Sequence, residues 1–296
     1  MELHGQETEV ALLGALRGHL SSGAFVDVGA ERGGLAQALL SYGYGPAHLI
    51  EPAPANVAEL RRAFTERSDV EILDVAAGAS DGEATLYLAT TPEGEPQPAF
   101  NAIDSPGDGD GLRWTADGAV ALRSLESLLR ERRIPGRVGL LKIDAEGTDI
   151  EVVRGMGGLE CDALMIELWL DMPGAVGRCP WTLDDLVELL EPRGLRRLVF
   201  VHHQASGVRL VKGAAEPAEG DYGNVVFMTD RVYDDARTAI ALVADQADRL
   251  SDALAEMEVK ERNVTIFARA VEKQRVLIEE MEANRLRLES QLREQG

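Results

Sequence analysis

"LLKIDAEG", residues 140–147, is an apolar run that ends on ionisable side chains. Read as a buried strand, it points Lys142 and Asp144, two apart, to one face, while Glu146 opens the loop beyond. Acids at the carboxyl end of a strand can take a proton from a bound hydroxyl. They can equally cap the helix expected from "TDIEVVRGM", where negative charge is stabilising, so both roles stay open for Asp144 and Glu146. Lys142 is expected to pair with a neighbouring acid. Glu167 ends the next apolar run, "LMIELW", and could join Asp144 in a set of oxygen donors of the kind that suits Mg²⁺ or Ca²⁺. The spacing fixes no third ligand, and no metal is assigned. His202 and His203 close "LVFVHH", and since strand neighbours face opposite ways only one of them, with His202 the candidate, can serve as a base near neutral pH. Trp114, Trp169 and Trp181 could stack on a sugar ring, with core packing as their default.

A second stretch, "FVDVGAERGG" (25–34), carries a carboxylate at the end of a buried strand and then turns into glycines. Gly29 and Gly33 let the backbone bend tightly, and the helix read from "LAQALLSYG" aims its first amides at the same mouth. A dinucleotide fingerprint needs G-x-G-x-x-G, whereas Glu31 stands here where the second glycine would admit a pyrophosphate. Glu51, about twenty residues beyond Gly29 at the end of the next strand, is placed to accept both hydroxyls of a ribose. A ribose site without a diphosphate site points to S-adenosylmethionine. An NAD-dependent oxidoreductase is the alternative on the same fold.

The segments "FVDVGAERGGLA", "LIEPAPANVAEL", "VAAGASDGEATLYL", "SLESLL" and "LLKIDAEGTDIEVVRGM" occur in order over residues 25–156, and together they resemble the motif series of the FkbM family of S-adenosylmethionine-dependent methyltransferases. The resemblance implies a seven-stranded, Rossmann-like class I methyltransferase domain and O-methylation of a hydroxyl, often on a sugar or natural product. Carried over residue by residue, it places Asp27 and Gly29 along the methionine end of the cofactor and Glu51 on its ribose, with Ala30, Gly33 and Asp144 also among the cofactor-binding residues. Asp74, Val75, Ala76 and Ala77 would lie along the adenine. Glu31 stands where the family commonly has asparagine.

The elements that must position these groups follow from periodicity and punctuation. A helix is expected over 8–20, then strands and helices alternate through 24–29, 35–43, 47–52, 55–67 and 69–82, with a half-exposed hairpin strand over 83–90. Residues 91–119, rich in Pro, Gly and Asp, read as a long loop of the sort that closes over an acceptor. Helices at 124–133, 148–156 and 182–194 then alternate with strands at 137–147, 161–170, 196–203 and 224–230. Such alternation argues for an α/β domain with a mostly parallel sheet, here spanning 1–230.

From 231 to 296 proline is absent and glycine returns only at the last residue. Val264, Phe267, Val271, Ile278, Met281, Leu288 and Leu292 recur at three-and-four spacing, interrupted by Gln274 and Arg285, and Val243, Ala247, Leu250, Leu254 and Met257 form an earlier seam. The reading is a C-terminal coiled coil with a phase break near 260, which makes the chain a homo-oligomer and could recruit a glycosyltransferase, with a helix folded back onto the domain as the alternative. A scaffold with a degenerate methyltransferase domain is the non-catalytic alternative. With 51 acidic against 30 basic residues the net charge is −21, which argues against nucleic acid as a partner. No apolar run suits a bilayer span, and Cys161 and Cys179 are too few for a disulfide framework, so a cytoplasmic enzyme with a small-molecule or glycan acceptor is expected.

Overall fold

The computed structural model of the chain describes residues 3–103, 111–169, 181–204, 207–212 and 222–253. Its first half alternates α1 (Leu3–Leu16), β1 (Phe25–Val28), α2 (Gly34–Ser41), β2 (Ala47–Ile50), α3 (Pro54–Ala63), β3 (Val70–Leu73), β4 (Ala76–Ala77) and β5 (Gly82–Thr90). There follow β6 (Arg113–Arg123), α4 (Leu125–Arg130), β7 (Arg137–Ile143), α5 (Asp149–Arg154), β8 (Glu160–Trp169) and α6 (Leu183–Leu190). β9 (Leu195–Gln204), β10 (Gly207–Lys212), β11 (Tyr222–Thr229) and a helix, α7, over 230–253 complete the order.

The main sheet runs β10-β9-β11-β8-β7-β1-β2-β3. The β3-β2-β1-β7-β8 block is parallel, and β11 is antiparallel to both β8 and β9. β1 and β7 are buried almost throughout, as their apolar runs require when helices cover both faces. One face packs against α4, α5 and α6 through Leu125, Leu128, Val152, Val153, Leu186 and Leu190. The other packs against α1, α2, α3 and the start of α7 through Leu12, Leu16, Leu39, Leu60, Val232, Ala236 and Ile240. Local chemistry supports the helices: Pro54 opens α3, and Thr182 and Asp185 form a reciprocal capping box on α6. The chain order reverses between β1 and β7, and a crevice opens there at the carboxyl ends of the strands.

Seven of these main-sheet strands match the sequence reading, and β10 is an added one. The larger correction concerns residues 91–119. Residues 113–119 are not loop but the start of β6, which pairs antiparallel with β5 and parallel with β4 in a second, three-stranded sheet. The stretch before it doubles back on β5: Tyr87 bridges Ala102, Thr90 bridges Pro96, and the Asn101 side chain accepts from Ala89 N at 3.1 Å. Trp114 donates its indole N–H to Phe100 O at 3.0 Å. The chain divides into two compact units, Met1–Asp248 and Arg249–Gly296, and the expected seam from Leu254 to Leu292 lies outside the described residues, as does Cys179. Cys161 is a buried free thiol. No helix among the described residues is long and apolar enough to cross a membrane.

At the far end of the sheet Asp162, 1 % exposed, ties β8 to its surroundings. It accepts from Ser21 N and pairs with Arg137 at 3.0 Å and with Arg231 of α7 at 3.3 Å. Burial alone would raise its pKa, but the bonds from Ser21 and Arg137 outweigh it and hold the carboxyl below its ordinary value. The stability it supplies is therefore present above the unfolded carboxylate pKa and is lost as pH falls through the lower folded value. Replacing Asp162 with Ala is expected to cost about 2 kcal/mol near neutral pH, because Ser21 N and two half-exposed guanidinium groups lose a charged acceptor, although Arg137 keeps Glu160 and Arg231 keeps Asp235. Thermal melts of wild type and variant should converge in acid; a constant difference at every pH would reject the account.

Candidate functional site

A cavity of about 640 Å³ lies at the reversal point, lined by the exits of β1, β2 and β7, by α1 and α2, and by the segment around Asn101. Gly29 shows why the sequence must bend there. Its φ is +71°, and a Cβ on it would come within 1.7 Å of the Asp144 carbonyl oxygen. Only glycine lets the β1 and β7 exits approach so closely. Gly29 and Ala30 donate backbone N–H to Ile50 O at 2.9 and 3.1 Å, which closes the bend onto β2.

Glu51, 5 % exposed, accepts from Ala53 N at 2.8 Å, Glu31 N at 2.9 Å and Asn56 Nδ2 at 3.3 Å. Burial pushes its pKa up to about 7 against the pull of those bonds. Glu31 adopts φ +48°, a left-handed conformation that suits asparagine better than glutamate, and its amide is turned onto Glu51. Asp27 is wholly buried in the cavity wall; its Oδ1 pairs with Lys142 Nζ at 3.2 Å, and its Oδ2 has no hydrogen-bond partner among the described residues. Burial raises its pKa and the lysine draws it back. A buried acceptor of this kind is satisfied by a donor such as an α-ammonium group.

Lys142 joins the two exits. Its ammonium donates to Gly29 O at 3.0 Å and also pairs with Asp144 Oδ2 at 3.3 Å. Burial would lower its pKa, but the two acids prevail and hold it above the ordinary lysine value, so it stays protonated. It therefore acts as a fixed charge, and the pairing expected from sequence has two partners. Asp144 and Glu146 both line the cavity. They do not cap α5. That loop is stapled by Asp149, which accepts from Ala145 N at 2.9 Å and Gly147 N at 3.2 Å, while Thr148 Oγ1 donates to Ala145 O at 3.1 Å. Burial lifts the Asp149 carboxyl to about 6, with the Asp144 charge adding to the effect. Glu146 sits at φ +49°, a strained conformation at a functional surface. Asp144, Glu146 and Glu167 each bring a carboxylate oxygen within 4.8 Å of the others, so the third acid that spacing could not fix is present.

Four expected positions fall elsewhere. His202 stacks on Phe200 at 5.0 Å, on the sheet face covered by α4, α5 and α6, because strand parity turns it away from Asp27, Lys142 and Glu167. Asp74 turns outward to Arg61 at 3.3 Å, since a tight turn with Val75 N bonded to Leu73 O swings Ala76 and Ala77, and not Asp74 or Val75, into the cavity wall. Gly33 caps α2 at φ +84° and packs under Phe64 and Leu60, while Gly34 takes its place in the lining. Among the described side chains no tryptophan lines the cavity, and Trp181 is buried in the core. Sequence reading missed Asp149, legible as an acid three positions past Glu146 at a helix start, and Glu9 on α1, which no local motif marks.

Gly29→Ala is expected to lose binding of S-adenosylhomocysteine outright and to lower the melting temperature, since left-handed strain of roughly 1–3 kcal/mol adds to a clash that backbone must relieve. Calorimetry showing normal affinity in the variant would reject the close approach of the two exits.

The geometry fits a nucleoside cofactor: a buried acid for ribose hydroxyls, a buried carboxylate with one oxygen on Lys142 and the other open for an ammonium group, and a glycine bend between them. No curated protein matches the chain. Similar solved structures include the N-methyltransferase NodS from Bradyrhizobium japonicum (10 % identity, TM-score 0.40, covering 77 % of this chain and 99 % of that one). An rRNA methylase from Streptococcus thermophilus (9 %, 0.39, 77 % and 98 %) and M. capricolum TrmK with S-adenosylhomocysteine (7 %, 0.38, 74 % and 67 %) are others. Residues 27–175, just over half of the 296, match the methyltransferase FkbM domain, whose cofactor is S-adenosylmethionine. With the motifs, the α/β fold and the cofactor site in agreement, the chain belongs to the FkbM methyltransferase family.

Proposed function

We propose that this chain transfers a methyl group from S-adenosylmethionine to a hydroxyl of a sugar or glycosylated metabolite. The observation that carries the reading is the convergence of Asp144, Glu146 and Glu167 at the edge of the cavity that Asp27, Gly29 and Glu51 line. When bound, the sulfonium supplies an electrophilic methyl carbon and departs as a neutral thioether. Asp144, with its side chain 37 % exposed and one oxygen on Lys142, takes the hydroxyl proton, a contribution on the order of a hundredfold or more. Glu146 and Glu167 accept from neighbouring hydroxyls and orient the acceptor oxygen for in-line attack, and such positioning supplies much of the remaining acceleration. Asp149 keeps the Asp144–Glu146 loop in one conformation. Pro98, Ala99, Asn101 and Ile103 wall the cavity beside it.

The net charge of −21 and the acidic lining favour this reading over a nucleic-acid acceptor. In the same proposal the enzyme is cytoplasmic, the catalytic domain runs from 1 through the start of α7, and the seam from Leu250 onward pairs with a second copy and offers a docking helix to a glycosyltransferase. A second reading is favoured by the same convergence: three carboxylate oxygens within 4.8 Å suit Mg²⁺ or Ca²⁺, which would then orient the acceptor. Loss of turnover on chelation, restored by Mg²⁺, selects it.

Asp144→Asn should abolish turnover and leave S-adenosylhomocysteine affinity within about twofold, read by calorimetry. Joint loss of both would move Asp144 into cofactor binding. Glu51 gives a pH test. Ribose hydroxyls donate to its ionised form, so affinity should rise as pH passes about 7 and fall below it. Its raised pKa also means that ionising it costs fold stability, a loss that sets in between the ordinary glutamate value and about 7. Glu51→Gln should bind weakly at every pH, and an unchanged pH profile in that variant would rule the role out.

A further inference from the structure

The three-stranded sheet meets the cavity at both of its margins. β4 brings Ala76 and Ala77 to the lining, while on the free side of β5 the doubled-back segment brings Pro98, Ala99, Asn101 and Ile103. None of the described residues of β5 or β6, which lie between, is in that lining. In a flat sheet of this width the two margins would stand three strand spacings apart, roughly 14 Å. The ribbon therefore arches over the cavity and reaches it from two sides. A bulge permits the bend: the β5–β6 register breaks between Leu86 and Tyr87, with Asp117 as the extra residue on β6 beside Gly118 at φ +142°.

The segment is held in place. Tyr87 and Ala102 exchange backbone bonds at 2.8 and 3.1 Å, and Gln97 N donates to Ala89 O at 2.8 Å. Asn101 completes the seal on Ala89, whose N–H must find an oxygen, so the bond at 3.1 Å fixes which way the amide points. Oδ1 is spent there. Nδ2 is left with two hydrogens and no acceptor among the described residues, on a half-buried side chain in the cavity wall. A polar group so placed calls for a partner.

Its surroundings define that partner. Among the lining residues from β4 and the segment, Asn101 is the one polar side chain, and the others give apolar surface. Such a slot disfavours a charged group and suits the faces of a heteroaromatic base, whose ring nitrogens are acceptors. Backbone donors near β4 are committed elsewhere: Val75 N and Glu51 N to Leu73 O at 3.0 and 3.1 Å, and Gly78 N to Arg123 O at 3.0 Å. Asp74, the acid that the motif series sets beside adenine, is turned out to Arg61.

We infer that Asn101 reads the base of the cofactor, its Nδ2 donating to a ring nitrogen of adenine in the slot between the two margins of the arch. The inference rests on S-adenosylmethionine as the cofactor and adds the residue that selects its base.

The test is calorimetry on the full chain with S-adenosylhomocysteine and its 1-deaza, 3-deaza and 7-deaza adenine analogues, each of which lacks one ring nitrogen. One analogue should bind the wild-type chain about tenfold more weakly than the parent, the worth of a hydrogen bond in a partly buried slot. Asn101→Asp keeps an oxygen for Ala89 N and turns the free donor into an acceptor. It should bind S-adenosylhomocysteine about tenfold or more weakly, and in it the gap between the parent and that one analogue should close to within about twofold, the mark of direct coupling. Equal binding of all three analogues by the wild-type chain overturns the inference with no variant needed. So does normal affinity for the parent in Asn101→Asp, or an analogue penalty that persists there. If the wild-type chain does not bind S-adenosylhomocysteine at all, the cofactor assignment falls first.

Discussion

The ammonium of Lys142 is the constraint on which the site depends. Three negatively polarised groups that would otherwise repel one another, the Asp27 and Asp144 carboxylates and the Gly29 carbonyl, meet around it within 3.3 Å. Without a cation there, a wholly buried carboxylate facing a second acid would be costly, and the exits of β1 and β7 would separate. With it, the bend after β1 and the strand end that carries Asp144 become one rigid piece. The absent Cβ at Gly29 serves the same purpose, since it admits the Asp144 carbonyl into contact.

Two glutamates flank this piece in left-handed backbone, Glu31 at φ +48° and Glu146 at φ +49°. Both line the cavity, one behind each strand exit. Strain of this kind persists where surrounding bonds over-determine it. Glu31 N is held by Glu51, and the Glu146 loop is held by Asp149 through Ala145 and Gly147. A buried acid thus fixes each loop before any ligand arrives.

Much of this was legible in the sequence because buried parallel strands write themselves as apolar runs, and a charge at the end of such a run has few places to go. Asp27, Lys142, Asp144 and Glu51 were read that way, and all four line the cavity. β6 was not: it is exposed along most of its length, and Gly118 and Asp117 hide its alternation among loop-like residues. β10 escaped for a similar reason, being a short edge strand with no apolar run of its own. His202 was misplaced by one step of parity, and Asp74 by a single turn after β3. Glu9 shows the real limit, since its place in the cavity comes from how α1 packs on the sheet, with no pattern in its own helix.

The start of α7 does more than lead out of the domain. Val232, Ala236, Ile240 and Val243 enter the same apolar layer as Leu12, Leu13 and Leu16 of α1, and α1 is the helix that carries Glu9. The α1 roof of the cavity is therefore buttressed from behind by residues contributed more than two hundred positions later in the chain. A graft or exchange of the C-terminal module has a natural seam only past Ala247, because any junction drawn earlier would strip the buttress and let the roof sag.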